Sequence, residues 1–390
     1  MITVEEARAL LFDLVSPLAS EEVPLTDAAG RVLARDVSAT RDQPPFAASS
    51  MDGYALKSAE VELHAMFKVI GESAAGRRFE GRVGAGQAVR IFTGAPIPEG
   101  ADFVVIQEDT DRRGDLITIT EEPGPKTNIR PAGIDFTAGT TIQAPRIIRP
   151  EDVALMAAMN IPTVPVARKP VVALISTGDE LVMPGDEPGP DQIIASNTFG
   201  LKAMLESAGA QVRILPIAKD TVASLEAAFG LAAGADLVVT IGGASVGEYD
   251  LVADVSQALG MERSFYKIRM RPGKPLMAGR LGQTAMVGLP GNPVSAMVCG
   301  YLFLLPMVRR MLGIEQVLMP FQRAQLAEPI DKNGPREHYM RAVLSEDGIR
   351  ACADQDSSLL SVLAQANALL VRDPHDPARA KGDEVLYLPI

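Results

Sequence analysis

Between residues 171 and 296, β-branched apolar runs alternate with segments of helical periodicity. The runs predict strands at 171–175, 212–217, 237–241, 265–268 and 285–289, and apolar residues three and four apart predict helices at 197–208, 221–232 and 250–259. Such alternation implies a doubly wound parallel sheet with helices on both faces. Three of the strands run straight into polar, mostly glycine-rich loops that open helices: STGDE at 176–180, GGASVGEYD at 242–250 and GLPGNPVSA at 288–296. In an open parallel sheet these loops gather at the carboxyl ends of the strands, where backbone amides and helix N-termini hold anions.

The flanking patterns differ. Short alternating runs FKVIG, QAVRIFTG, DFVVIQ and LITIT between 66 and 119, separated by Gly, Pro and Asp turns, predict a small all-β unit. Helical periodicity returns at 149–159, with Glu151 and Asp152 in the first turn, so the β unit reads as an insertion in a mixed segment. From Phe321 onward, AQLAEPI, HYMRAVL, IRACA, ALLVR and EVLYLPI give a second small β domain, and no repeat of fixed period is present. The expected division is 1–20 with 169–315 as the α/β domain, 21–40 with 139–168 as a mixed linker domain, 41–138 as the inserted β-rich domain and 316–390 as the C-terminal β domain.

Composition narrows the function classes. At 390 residues and 47% hydrophobic content the chain builds packed cores, and a net charge of −12 argues against broad binding to nucleic acid or anionic membrane. Cys299 and Cys352 lie far apart and read as reduced core residues of a cytosolic protein. Glu5, Glu6 and Asp13 mark the N-terminus as an amphipathic helix, and the most apolar segment, 294–308, is too short for a span and contains Pro306.

The loops at the sheet edge carry acids. Glu180, Asp220, Glu248 and Asp250 come together by topology with no histidine or cysteine among them. Carboxylates alone repel phosphate, so a divalent cation between protein and phosphate is expected; Mg²⁺ uses one or two carboxylates plus substrate oxygens. Gly242 and Gly243 permit positive φ and close backbone approach, and Ser245 adds a hydroxyl. Taken singly, Asp179 and Glu180 also fit a turn, and Asp220 and Asp250 fit helix caps. The segment YKIRMRPGKP at 266–275 is the densest basic cluster, with Lys267, Arg269, Arg271 and Lys274; it fits either an oxyanion site or a solvated loop. Pro290 and Pro293 stiffen the loop before the last helix. Asp52 and Thr93 sit in loops of the insertion, where a turn role is the default.

Taken in order, SSMDGYA, TGAPIPEGAD, STGDEL, GGASVGEYD, RPGKP and GLPGNPVSA resemble the molybdopterin molybdenumtransferase family, which includes the E domain of gephyrin. The resemblance runs nearly end to end. It implies an elongated homodimer of four-domain subunits, in which the α/β domain of one subunit faces the barrel-like C-terminal β domain of the other. It also implies a reaction, in which adenylated molybdopterin and molybdate give molybdenum cofactor and AMP with Mg²⁺ required. By motif position, the resemblance assigns catalysis to Asp52, Thr93, Glu180, Asp220 and Asp250, the last three also as metal ligands. Ser176, Gly178, Asp179, Gly242, Gly243, Ser245, Lys267, Arg271, Lys274, Pro290 and Pro293 would contact substrate, and Arg341 and Ser357 would reach the partner subunit's site. The acids would handle Mg²⁺ and the pterin side, while Lys267 and Arg271 would receive molybdate. A cytoplasmic location, with molybdopterin adenylyltransferase and recipient molybdoenzymes as partners, follows from the same resemblance.

The chain departs from the family in places. Arg271 stands where lysine is usual, keeping charge but changing donor geometry. The glycine common beside the serine is missing around Ser357, and PAGIDF at 131–136 replaces a more basic stretch. Molybdopterin adenylyltransferase activity and a non-catalytic carrier or scaffold are the alternatives; the extra β domains and SSMDGYA favour the insertase.

Overall fold

The computed structural model describes residues 1–243 and 251–390, so Ser245, Glu248 and Asp250 lie outside the described residues. The central sheet has six strands in the order Gln211–Ile214, Val171–Ser176, Leu237–Ile241, Thr284–Leu289, Pro275–Leu281 and Met261–Lys267. The first four are parallel, whereas Pro275–Leu281 runs antiparallel to both its neighbours. The sheet is therefore mixed, which corrects the wholly parallel expectation. Gly279 and Arg280 interrupt the apolar run of the unexpected strand, and the glycine serves a packing need: a Cβ there would lie 2.3 Å from the Glu262 carbonyl oxygen.

Alternation along the strands divides the core between two faces. Val172 and Leu174 pack on one side with Leu201, Leu205 and Phe303, while Ala173 and Ile175 pack on the other with Leu225, Phe229 and Val252. Burial on both faces explains why the strand Leu237–Ile241 is buried at every position. The helix Val4–Asp13 adds Val4, Ala7 and Leu11 to the first face. Its start is fixed by a capping box in which the Thr3 hydroxyl accepts from the Glu6 amide and the Glu6 carboxylate accepts from the Thr3 amide.

Among the described residues, one helical stretch, Pro293–Met311, is long and apolar enough to cross a membrane. Most of it is buried in the α/β core instead. It accommodates Pro306, which lacks an amide, by widening to a π-type turn over Gly300–Leu304.

The remaining sheets are smaller. Ser20–Pro24, Thr163–Ala167, Val32–Leu33 and Arg146–Ile147 form one, packed with the helix Pro150–Ala158 through Leu33, Ile148, Met156 and Val164. Between its second and third elements in sequence lies a six-stranded sheet built on Gly53–Leu56 and Gln87–Ile91, with Tyr54, Phe67, Val105 and Ile117 in its core. Towards the C-terminus, Glu337–Ser345, Ala368–Arg372, Glu384–Pro389 and Gln322–Gln325 form a sheet whose ends meet. Gly348–Ala351 pairs with Glu337–Ser345, and a bridge from Leu326 to Ile349 brings it back to Gln322–Gln325, so the sheet curls into a barrel.

Arg168 fastens the entry into the central sheet. Its guanidinium donates to both Asp236 oxygens at 2.9 and 2.8 Å, and the Val171 amide donates to Asp236 Oδ2 at 2.7 Å. These charge-assisted bonds align the first strand with its neighbour. Replacing Asp236→Ala leaves Arg168 and the Val171 amide without this acceptor and should destabilise the domain by about 2 kcal/mol. Urea unfolding followed by circular dichroism measures this; an unchanged midpoint would show that the clasp does not align the strands.

Candidate active site

The chain leaves strand Val171–Ser176 for Gln211–Ile214 on one side, then crosses to Leu237–Ile241 on the other. The reversal opens a crevice at the carboxyl ends of Val171–Ser176 and Leu237–Ile241, where ligands bind in sheets of this kind. A cavity of about 730 Å³ lies there. Ser176, Gly178, Glu180 and Asp220 line it from one side, and Gly242, Gly243, Pro290 and Pro293 from the other. These eight expected residues are thus brought together.

Backbone bonds build the floor. The Thr177 amide donates to the Ile241 carbonyl at 3.0 Å, the Gly242 amide to Leu289 at 3.1 Å and the Gly178 amide to Ala218 at 3.1 Å. The loops fit only with glycine at the crossing. Gly242 sits at φ +99° and a Cβ would lie 2.6 Å from the Thr177 carbonyl oxygen, while at Gly243, φ +68°, it would lie 2.3 Å from Val252.

Carboxylates crowd one end. The Asp220 amide approaches Asp179 Oδ1 at 3.4 Å. Burial first, then repulsion by Asp179 and Glu180, raise the Asp220 carboxyl above its ordinary value. Asp179 itself does not line the cavity. Among the described residues no three acidic, histidine or cysteine side chains form a metal cage on their own.

The other end is tied to the barrel. Asn292 occupies the N-cap of Pro293–Cys299 but caps nothing there; its side-chain amide donates to the Ser357 hydroxyl at 2.8 Å, and the Val294 amide donates to the Ser357 carbonyl at 3.1 Å. Arg341, 2% exposed, holds the same loop through the Asp356 carbonyl at 2.7 Å and Gln355 Oε1 at 3.3 Å. The loop of Ser357 therefore sits against the cavity of its own chain through Ser358, and the short helix Leu360–Gln365, packed on Pro293–Cys299, holds the loop there.

The basic loop and the insertion lie apart from this cavity. Lys267 ends the edge strand with its ammonium over the Tyr266 ring, and neither Lys267 nor Lys274 lines the cavity, although Pro275 does. Arg271 lines a second cavity, on the barrel. In the insertion the Thr93 amide and hydroxyl donate to Asp52 Oδ1 at 2.7 and 2.9 Å, and these two bonds hold the Asp52 carboxyl below its ordinary range. Asp52 and Thr93 line neither cavity.

Three regions of the chain match family descriptions: residues 2–160 the MoeA N-terminal region (domain I and II), 173–310 a probable molybdopterin binding domain, and 323–390 the MoeA C-terminal region (domain IV). The chain is 35% identical over 408 residues to the molybdopterin molybdenumtransferase of Nostoc sp., covering 100% of this chain and 94% of that protein. This chain belongs to the molybdopterin molybdenumtransferase family. Its Haemophilus influenzae relative is likewise 35% identical, over 100% of this chain and 98% of that protein. The solved structure of the molybdopterin biosynthesis protein MoeA from Pyrococcus horikosii superposes with a TM-score of 0.87 at 29% identity, covering 100% of this chain and 99% of that one. Membership makes the chain a transferase of molybdenum cofactor biosynthesis.

Sequence reasoning overlooked Thr177, Asn197, Asn292 and Ser358, all at the cavity. Thr177 is the clearest omission. It is 3% exposed, and among the described residues its buried hydroxyl has no hydrogen-bond partner. A buried threonine inside STGDE was the available signal.

The Asp220 shift can be measured directly. Because the folded carboxyl holds its proton more tightly than the unfolded one, this group's ionisation lowers stability as pH rises from 3.8 through the folded value. Carboxyl NMR should place the Asp220 midpoint above 3.8 in Mg²⁺-free protein and lower it when Mg²⁺ is added. A midpoint at or below the ordinary value without Mg²⁺ would show that the three acids are not crowded.

Proposed function

We propose that this chain inserts molybdenum: adenylated molybdopterin and molybdate react, the phosphoanhydride is cleaved, and molybdenum cofactor and AMP leave. The observation that carries the reading is the cavity at the strand reversal, with crowded acids at one end and a basic loop on the same sheet edge. The glycine-lined floor suits the phosphate and ribose portion of an elongated substrate. An all-oxygen, acid-rich end suits Mg²⁺. Glu180 and Asp220, with Asp250 from outside the described residues, would hold Mg²⁺, which supplies charge neutralisation at the phosphates.

The chain's own groups divide the remaining work. Asp179, whose carboxylate approaches the Asp220 amide, steadies the acidic loop. Pro290 and Pro293 fix the loop facing it, and Asn292 locks that loop to Ser357. Arg271, Lys267 and Lys274 provide positive charge for molybdate at the opposite end of the edge. Ser245, outside the described residues, would contact substrate.

Among the described residues Asp52 and Thr93 line neither cavity, so a role in catalysis calls for a second copy to deliver them. An elongated homodimer meets that requirement. Ile193 and Ile194 support it, since they line the cavity yet are 59% and 41% exposed, leaving an apolar rim for another subunit to cover. A cytoplasmic setting, and hand-over from molybdopterin adenylyltransferase and to recipient molybdoenzymes, complete the reading.

Asp220→Ala should lower AMP release from adenylated molybdopterin by about 100-fold, with the circular dichroism spectrum unchanged. Steady-state turnover with Mg²⁺ and molybdate measures it; a folded variant that keeps full turnover would overturn the assignment of Asp220 to catalysis.

A further inference from the structure

Asp52 and Thr93 come from separate stretches of the insertion, and one side chain bridges the strands that carry them. Arg90 lies opposite Tyr54 where Gly53–Leu56 pairs antiparallel with Gln87–Ile91, and Phe92, two positions on, shares its face. Its guanidinium lies over both rings, 5.1 Å from the Tyr54 centroid and 4.8 Å from that of Phe92. A planar, delocalised cation stacks on aromatic faces in this way, and the stack restricts where its donors point.

The donors point at the backbone that carries Asp52. Nη1 donates to the Gly53 carbonyl at 3.1 Å and Nη2 to Gln107 Oε1 at 2.5 Å. Gln107 returns to the same loop, because its amide donates to the Asp52 carbonyl at 3.0 Å. Arg90 thus holds two consecutive carbonyls, one directly and one through Gln107. Glycine is needed between them, since a Cβ on Gly53 would lie 1.9 Å from the Val105 carbonyl oxygen. On the other flank the Gly94 amide donates to the Ser49 carbonyl at 2.8 Å and the Ser49 amide to the Ala95 carbonyl at 3.0 Å, so the Asp52 and Thr93 loops are tied on both sides. Among the described residues the Arg90 guanidinium has no direct ion pair, and its charge adds to the two Thr93 bonds that hold the Asp52 carboxyl low against burial. Both Thr93 bonds go to Oδ1, and among the described residues Oδ2 accepts none. The carboxylate is fixed and ionised with one oxygen left for another group.

We propose that Arg90 is a positioning residue for the insertion reaction: through the Gly53 carbonyl and Gln107 it sets the Asp52–Thr93 pair in place without itself touching substrate. The inference rests on the reading that Asp52 and Thr93 serve catalysis. Lysine at this position would keep the charge but replace a planar fork with a single nitrogen, which cannot hold both acceptors while stacked between two rings.

Arg90→Lys and Arg90→Gln in the full chain test this, each alone and combined with Asp52→Asn. In both single variants kcat for AMP release should fall about tenfold with KM within about twofold of native, because the lost interaction orients a reacting group and binds no substrate. Carboxyl NMR should place the Asp52 midpoint higher in Arg90→Gln than in Arg90→Lys, since only the former removes the charge. In the Asp52→Asn background either Arg90 change should lower residual turnover by less than about twofold, as expected of residues acting as one unit. An equal loss in both backgrounds would show a merely structural role and overturn the proposal, as would native kcat in Arg90→Lys. Should Arg90→Gln unfold, kcat in Arg90→Lys decides alone. Full turnover in Asp52→Asn removes the catalytic reading and the proposal with it, whereas loss there with native kcat in both Arg90 variants overturns the proposal alone. If the native chain releases no AMP, the insertase reading fails, and an Asp52 midpoint unchanged in Arg90→Gln would then overturn the hold of Arg90 on Asp52 as well.

Discussion

The site depends on one close approach, that of the Gly242 backbone to the Thr177 carbonyl. A side chain at Gly242 would meet that oxygen at 2.6 Å. With glycine there, neighbouring parallel strands end flush, and their loops turn away to opposite sides and leave a crevice between them. The Thr177 amide completes the bridge to Ile241, and the same residue lines the space so formed. The positions of Glu180, Asp220, Pro290 and Pro293 follow from that floor.

Charge is then distributed along the sheet edge. The acids follow the strands Gln211–Ile214 and Val171–Ser176, and the cations follow Met261–Lys267 at the far end of the order. Five inter-strand steps separate the outermost of these strands, roughly 24 Å. One small ligand cannot touch both ends, whereas an extended substrate with a second anion can. The antiparallel pair Pro275–Leu281 and Met261–Lys267 is what widens the edge, so the departure from a purely parallel sheet bears on the chemistry. The same pair carries Arg271 to the barrel, where it faces His338 rather than the acids.

Much of this was legible in the chain. The strand Leu237–Ile241 and the helices around it announce themselves because strands buried on both faces read as continuous apolar runs. The glycine pair was legible for the same reason that it matters, since few other sequences allow positive φ at successive residues. Pro275–Leu281 was not, because Gly279 is required by a neighbouring backbone rather than by periodicity. Nor was the link from Asn292 to Ser357, in which a residue at a helix cap position serves a distant loop. Neighbours in sequence also parted in space: Arg271 and Pro275, four residues apart, line different cavities.

The central claim is that the strand reversal beside Gly242 is where the nucleotide end of the substrate binds. Hydrogen–deuterium exchange of the full chain, with and without Mg²⁺ and AMP, tests it most directly. The account predicts slowed exchange at residues 176–180, 218–221 and 290–294. Protection confined to the barrel or the insertion, with the sheet edge unchanged, would contradict it.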